Sequence, residues 1–290
     1  MNDADYMQLA IDLAEKGLYT ASPNPRVGCI IVRNGQIIGR GYHVRTGQAH
    51  AEVNAIADAG NVEDATVYVT LEPCSHTGRT PPCSDALITA NVARVVVAMA
   101  DPNPLVAGSG IAKLEQAGIA VELGLLGSQA RQLNPGYIKR MELGLPWVRV
   151  KLAMSLDGRT AMASGESQWI TGEASRQDVQ RLRAESDLIV TGIGTVLADD
   201  CQLTVRPEQA LLSSEESERA LRSPPHRMVL DSQGRTPVDA RVLRGSPTTV
   251  ITAPDIEVDA SIAQHQLPVD QHGRIVLSEW VHYLGTQSFN

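Results

Sequence analysis

Apolar positions first recur at helical spacing. Met7, Leu9, Ala10, Leu13 and Ala14 fall within Asp5 to Lys16, and Gly17 stops the run. The rigid turn Ser22-Pro23-Asn24-Pro25 leads into a β-rich run, Val27 to Val32. Asn34-Gly35 is a strong short hairpin signal, so Ile37 to Tyr42 reads as the returning strand. Downstream, helical and strand patterns alternate. Helices are expected from His50 through Val53, Ile56 and Ala57, from Cys83 through Ala86, Leu87 and Ala90, from Gly110 to Ala117, and from Ser128 to Arg140. Buried strands are expected at Ala65 to Leu71, Arg94 to Ala98 and Ala120 to Leu123. This alternation predicts a mostly parallel sheet covered on both faces.

Gly144-Leu145-Pro146 breaks the chain, which places a domain boundary between residues 1–145 and 146–290. A second α/β pattern then begins with a strand expected at Trp147 to Leu152. It continues with a helix from Glu173 to Ala184 and a strand from Leu188 to Thr191. The turn Gly192-Ile193-Gly194 follows, but a third glycine is missing, so the turn does not support a dinucleotide-binding fingerprint. Pro207 to Pro225 is polar and reads as a surface insertion or linker. Strands at Arg227 to Asp231 and Thr248 to Thr252 and a helix at Leu277 to Leu284 complete the pattern, with no internal repeat.

Composition narrows the class. A length of 290 residues fits about two domains, and 43% hydrophobic content is ample for buried cores. The formal charge of −8 argues against a chain that grips nucleic acid, and 3% aromatics argues against a base-stacking platform. Four cysteines in this pattern suit a reducing compartment. The N-terminus has no basic start followed by an apolar run, and no stretch reaches membrane-spanning length. A cytoplasmic location with no membrane or nucleic-acid partner is expected.

The chemistry is concentrated between His50 and Cys83. His50-Ala51-Glu52 is followed by Glu72-Pro73-Cys74 and, after eight intervening residues, by Cys83. One imidazole and two thiolates make three ligands for zinc and leave a fourth position open, which is the catalytic rather than the structural arrangement. Glu52 is then placed to shuttle protons. His-x-Glu with Pro-Cys-x-x-Cys is the signature of zinc-dependent nucleobase deaminases, and it implies hydrolytic deamination. The gap here is longer than two residues, so a loop stiffened by Pro81-Pro82 must return to the metal. Cys29 and Cys201 read as ordinary core or surface residues. Asn24 and His43 lie at the two ends of the hairpin, where each could also cap a turn.

The stretch Glu72-Pro73-Cys74-Ser75-His76-Thr77-Gly78-Arg79-Thr80-Pro81-Pro82-Cys83 resembles the deaminase half of the bifunctional riboflavin-biosynthesis deaminase/reductase family. Lys151 to Arg206 resembles the reductase half, a domain similar in fold to dihydrofolate reductase. The resemblance implies an N-terminal cytidine-deaminase-like three-layer α/β/α domain followed by a dihydrofolate-reductase-like α/β domain. It implies zinc on His50, Cys74 and Cys83, Glu52 as proton donor and acceptor, and a pyrimidine ribosyl phosphate held by Asn24, His43, His76, Arg79 and Asn103. Arg79 suits phosphate because its planar fork matches that anion. In the second half it implies NADPH near Ala153, Trp169, Thr195, Asp199 and Ser232, and substrate against Ser167, Arg183, Leu203 and Arg206. A homo-oligomer is also expected.

Chains of this family continue past the helix ending near Gln287, whereas this one stops at Asn290, so a truncated reductase domain is expected. The expected activity is deamination followed by NADPH-dependent reduction of the ribosyl group. Alternatives are a deaminase whose second domain is inert or only binds ligand, a cytidine or RNA-editing deaminase, and a non-catalytic binding protein. The Cys74–Cys83 spacing and the acidic balance count against RNA editing.

Overall fold

The computed structural model describes residues 1–76 and 81–290. They form two units, Met1–Trp147 together with Ser288–Asn290, and Val148–Gln287.

The first unit runs α1 (Asp3–Glu15), β1 (Gly28–Arg33), β2 (Gln36–Tyr42), α2 (Ala51–Ala59), β3 (Thr66–Val69) and α3 (Cys83–Thr89). It continues through β4 (Arg94–Val97), α4 (Ser109–Gln116), β5 (Ala120–Leu123), α5 (Gly127–Leu133) and α6 (Pro135–Leu143). Its sheet has the order β2-β1-β3-β4-β5. The expectation of a mostly parallel sheet needs correcting. β1 pairs antiparallel with both β2 and β3, and only the β3-β4 and β4-β5 ladders are parallel. The tight Asn34-Gly35 turn, with both residues at positive φ, forces the hairpin and hence the antiparallel edge.

Strand alternation divides the core into two layers. Cys29, Ile31, Val67, Val69, Val95 and Val97 pack with Ala51 and Ala55 of α2, Leu87 of α3 and Leu114 of α4. Ile30, Val32, Tyr68 and Val96 face the other way, against Met7 and Ala10 of α1 and Leu133 of α5. The helix expected over Ser128 to Arg140 is two helices, because Pro135 has no N–H and disfavours helical geometry at the residue before it. Asn134 at this break clamps the chain elsewhere. Its Oδ1 accepts from the Arg26 N–H at 2.7 Å and its Nδ2 donates to the Arg26 carbonyl at 2.8 Å.

The second unit contains α7 (Glu173–Ala184), β6 (Leu188–Gly192), α8 (Ile193–Asp199), α9 (Ser214–Arg222), β7 (His226–Leu230), β8 (Thr248–Thr252), β9 (Gln264–Gln266) and α10 (Leu277–Thr286). Its four strands are all parallel, in the order β6-β7-β8-β9. Arg227 is fully buried in β7, and its guanidinium donates to the carbonyls of Gln202, Arg244 and Ser246.

Two sequence expectations change here. The polar stretch read as a surface insertion or linker contains α9, started by a capping box in which Ser213 and Glu216 bond each other's backbone N–H. The strand expected at Trp147 to Leu152 does not form, and residues 148–172 contain neither helix nor strand. A strand needs a ladder partner for its backbone groups, and no described residue pairs with this one. Val150 is accordingly 78% exposed and Leu152 66%.

Candidate active site

Two helix starts and one strand end converge on the metal motif. His50 is the N-cap of α2, so its ring lies at the helix entrance and Glu52 sits in the first turn. Cys83 opens α3, and Cys74 lies beyond the end of β3. The His50 Nδ1 is 3.2 Å from the Cys83 Sγ and 3.6 Å from the Cys74 Sγ. The candidate ligand atoms of all three residues lie within 4.8 Å of one another. One imidazole nitrogen and two thiol sulfurs facing a common point fit zinc, and three protein ligands leave room for water.

The electrostatics suit that ion. Cys74 is the more acidic thiol, pushed down to about 4 because Cys83 donates to its sulfur, with further help from His50 and the Cys83 backbone N–H. Cys83 moves in the opposite direction, raised by the same contact with Cys74 and by burial. Glu52 is 3% exposed, and burial pushes its carboxyl up to about 7. A carboxyl poised there can both accept and release a proton near neutrality.

A cavity of about 440 Å³ opens over these groups, with Asn24, His43, Gln48, Asp101, Asn103 and Tyr137 on its walls. The His43 Nδ1 faces the Ala49 carbonyl at 3.2 Å, so it carries the proton. Its Nε2 therefore accepts from the Asn24 Nδ2, also at 3.2 Å. Burial lowers the His43 pKa, which favours this neutral tautomer. The structure thus brings Asn24, His43 and Asn103 to one cavity with the metal motif, as well as His76, which is exposed at the rim. Arg79 lies outside the described residues.

Similarity to known proteins agrees with this geometry. The zinc-binding region of cytidine and deoxycytidylate deaminases matches residues 1–99, and the RibD C-terminal domain matches residues 146–288. Riboflavin biosynthesis protein RibD of Escherichia coli (strain K12) is 50% identical over 299 residues, an alignment covering 100% of this chain and 80% of that protein. The chain belongs to the RibD family. The RibD of Haemophilus influenzae is 52% identical over 257 residues, covering 87% of this chain and 68% of its own. The solved structure of Acinetobacter baumannii RibD matches with a TM-score of 0.87 at 47% identity, covering 99% of this chain and 78% of that one. A Thermotoga maritima structure, described as a diaminohydroxyphosphoribosylaminopyrimidine deaminase/5-amino-6-(5-phosphoribosylamino)uracil reductase, matches with a TM-score of 0.84 at 32% identity, covering 99% of this chain and 78% of that one.

The RibD architecture is therefore a cytidine-deaminase-like first domain and a dihydrofolate-reductase-like second domain, with His50, Cys74 and Cys83 as the zinc site of the first. The second-unit candidates fall into groups. Gly192 of β6 pairs with Leu230 of β7, so Thr195 in α8 and Ser232 after β7 follow the same end of the sheet. Asp199 is the last residue of α8. Arg183 and Arg206 are neighbours. Arg183 donates to the Thr204 carbonyl at 3.2 Å, Gln180 holds the Arg206 N–H at 3.1 Å, and burial followed by the Arg206 charge lowers the Arg183 pKa. Leu203, at positive φ, lies in the same connection. Two nearby guanidiniums suit an anion. Ala153, Ser167 and Trp169 lie in the irregular segment, where Trp169 is 70% exposed with the Arg176 guanidinium 4.5 Å from its ring centre. These three stand on that segment and not on the helix and strand ends that carry Thr195 and Ser232.

Several cavity residues were not singled out from the sequence. Tyr137 donates its hydroxyl to the Asp101 carboxylate at 2.8 Å, and Arg140 donates to the Pro23 carbonyl at 3.1 Å on the same wall. Asp101 was visible only as part of Asp101-Pro102-Asn103-Pro104, and the two α6 residues carried no motif.

Proposed function

We propose that the first domain, residues 1–145, deaminates 2,5-diamino-6-(5-phosphoribosylamino)pyrimidin-4-one. The second, residues 146–290, belongs to the NADPH-dependent reductase that converts the ribosyl group of the product to ribityl. The observation that carries the first assignment is the buried Glu52 carboxyl beside the His50, Cys74 and Cys83 cluster. Membership of the RibD family carries the second.

Bound zinc supplies Lewis acidity that makes water a nucleophile at neutral pH. Glu52 takes a proton from the attacking water on its carboxylate and returns it to the departing amino group. Water adds at C2, the C2–N bond breaks, and ammonia leaves as the ring carbonyl forms. His43, fixed as the Nδ1–H tautomer, orients the Asn24 amide towards the base. Asn103, which lines the cavity, is assigned to the base, and His76 and Arg79 are assigned to the phosphoribosyl group. In the second domain Ala153, Trp169, Thr195, Asp199 and Ser232 are assigned to NADPH, and Ser167, Arg183, Leu203 and Arg206 to substrate. The Arg183–Arg206 pair favours a phosphate there.

Reduced cysteine ligands fit a cytoplasmic enzyme, and no helix among the described residues is long and apolar enough to cross a membrane. A homo-oligomer is part of the proposal, to be checked by light scattering. The deciding experiment follows ammonia and NADPH absorbance together after adding the diaminopyrimidine phosphate. Ammonia and NADPH loss together support both assignments, and ammonia alone supports only the deaminase. No ammonia from a zinc-loaded sample rejects the central assignment.

A further inference from the structure

Glu72 is a buried carboxylate with an unusual set of partners. It is 3% exposed and sits between the end of β3 and the metal ligand Cys74. Its Oε2 accepts from the backbone N–H of Asp101 at 3.2 Å and of Gly108 at 2.9 Å. Its Oε1 accepts from the N–H of Gly110 at 2.9 Å and of Ile111 at 3.2 Å. No basic side chain is hydrogen-bonded to it among the described residues. All four donors belong to one segment, residues 101–111, which is the cavity wall bearing Asp101 and Asn103 and the first turn of α4.

A carboxylate is well matched to this task. The first N–H groups of a helix have no intrahelical partner, and α4 begins at Gly108 with no capping side chain of its own. Glu72 supplies that cap from another element. Each oxygen takes two donors, a load that an ionised acceptor carries well. The backbones also meet directly, since a Cβ on Gly110 would lie 1.9 Å from the Pro73 carbonyl oxygen. The wall is therefore pressed onto the same corner that delivers Cys74. Asn103 is held in turn, because its N–H donates to the Asp101 Oδ1 at 2.9 Å and its Oδ1 accepts from Leu105 at 3.1 Å.

We propose that Glu72 is a positioning residue for the deaminase, its carboxylate clamping the segment 101–111 so that Asn103 and Asp101 stand at a fixed distance from the metal ligands. The proposal rests on the deaminase assignment above. Glu72 makes no claim on the proton chemistry, which stays with Glu52. Its effect is on how the base is held.

The test compares full-length wild type with E72Q and E72D, all loaded with zinc. Glutamine keeps the volume but turns an NH2 group towards two donors, and aspartate keeps the charge but is one methylene shorter. The expected result for E72Q is a full complement of zinc, a KM raised on the order of tenfold or more and a kcat within about threefold. Calorimetric titration with the uracil product should show the same loss of affinity, and E72D should fall between E72Q and wild type. If E72Q does not fold, E72D decides by the same criteria. A lower melting temperature with unchanged KM would show that Glu72 only supports the fold and would overturn the proposal. So would activity lost in proportion to zinc. A wild type that releases no ammonia instead rejects the deaminase assignment itself, and the proposal with it.

Discussion

A Cβ added to Gly41 of β2 would lie 2.2 Å from the carbonyl oxygen of Ala51, the first residue of α2. The same atom would be 2.4 Å from the Ala55 N–H nitrogen, so the helix backbone rests directly on the strand. Because His50 and Glu52 flank Ala51, this contact sets the depth at which both enter the site. G41A has to push α2 outward, at a cost of about 1–3 kcal/mol for overpacking. The expected outcome is a lower melting temperature and less than one zinc per chain, measured by thermal unfolding and metal analysis.

Removing the proton shuttle should separate chemistry from metal binding. E52Q is close in size, and the zinc ligands His50, Cys74 and Cys83 are untouched. Ammonia release is expected to fall by roughly a hundredfold to ten-thousandfold, the usual contribution of a positioned acid–base group. Zinc content should remain that of wild type. Steady-state ammonia assays with metal analysis on the same samples check both.

Metal removal should be visible in thiol chemistry. Cys29 is fully buried in the sheet, whereas Cys74 is half-buried at the cavity. Zinc should shield Cys74, and a chelator should release it as one further reactive thiol, counted with a disulfide reagent, while Cys83, buried like Cys29 and with its thiol pushed up, should react slowly. Because zinc binds the folded form, its removal should also lower stability, by about 4 kcal/mol when free zinc had stood a thousandfold above its dissociation constant. C74S should abolish the released thiol.

A pH-dependent contribution is expected far from the cavity. The Asp3 carboxylate accepts from the Arg94 guanidinium at 2.5 Å and from the Tyr68 hydroxyl at 2.7 Å. The Arg94 bond first, and then the Tyr68 bond, hold the Asp3 pKa below its ordinary 3.8. A folded-state pKa that is depressed gives stability that is present above the unfolded value and lost as pH falls through the folded one. Asp3 is partly exposed, so the pair contributes no more than about 1 kcal/mol. D3N should lower the melting temperature slightly at neutral pH, and its gap from wild type should close at strongly acid pH. A gap that persists there would assign the loss to packing instead.

Local signals carried much of this structure. The hairpin at Asn34-Gly35 and the helices opening at His50 and Cys83 were legible because turn chemistry and apolar period act over a few residues. The metal triad was legible as a spacing, because its chemistry requires particular residue types. Other features were written less plainly in the sequence. Ser213 and Glu216 spelled a helix start, with Glu215–Arg219 and Glu218–Arg222 ion pairs along it, inside a stretch that looked merely polar. Pro135 divided a helical pattern that continued on either side. Trp147 to Leu152 alternates like a strand, yet alternation only offers a face and cannot supply a partner ladder. The role of Glu72 was out of reach altogether, since its four donors lie 29 to 39 positions along the chain.

The return from Cys74 to Cys83 closes tightly at its two ends. The Cys83 N–H donates to the Cys74 sulfur at 3.3 Å, while the Ser84 N–H and hydroxyl both reach the Cys74 carbonyl at 3.1 Å. Both sulfurs are therefore fixed by bonds among Cys74, Cys83 and Ser84 themselves. A longer connection between the same two ends would cost little, since each doubling of a loop adds only about 0.6 kcal/mol of closure entropy. The metal corner is thus a hem whose shape is held by its own stitching.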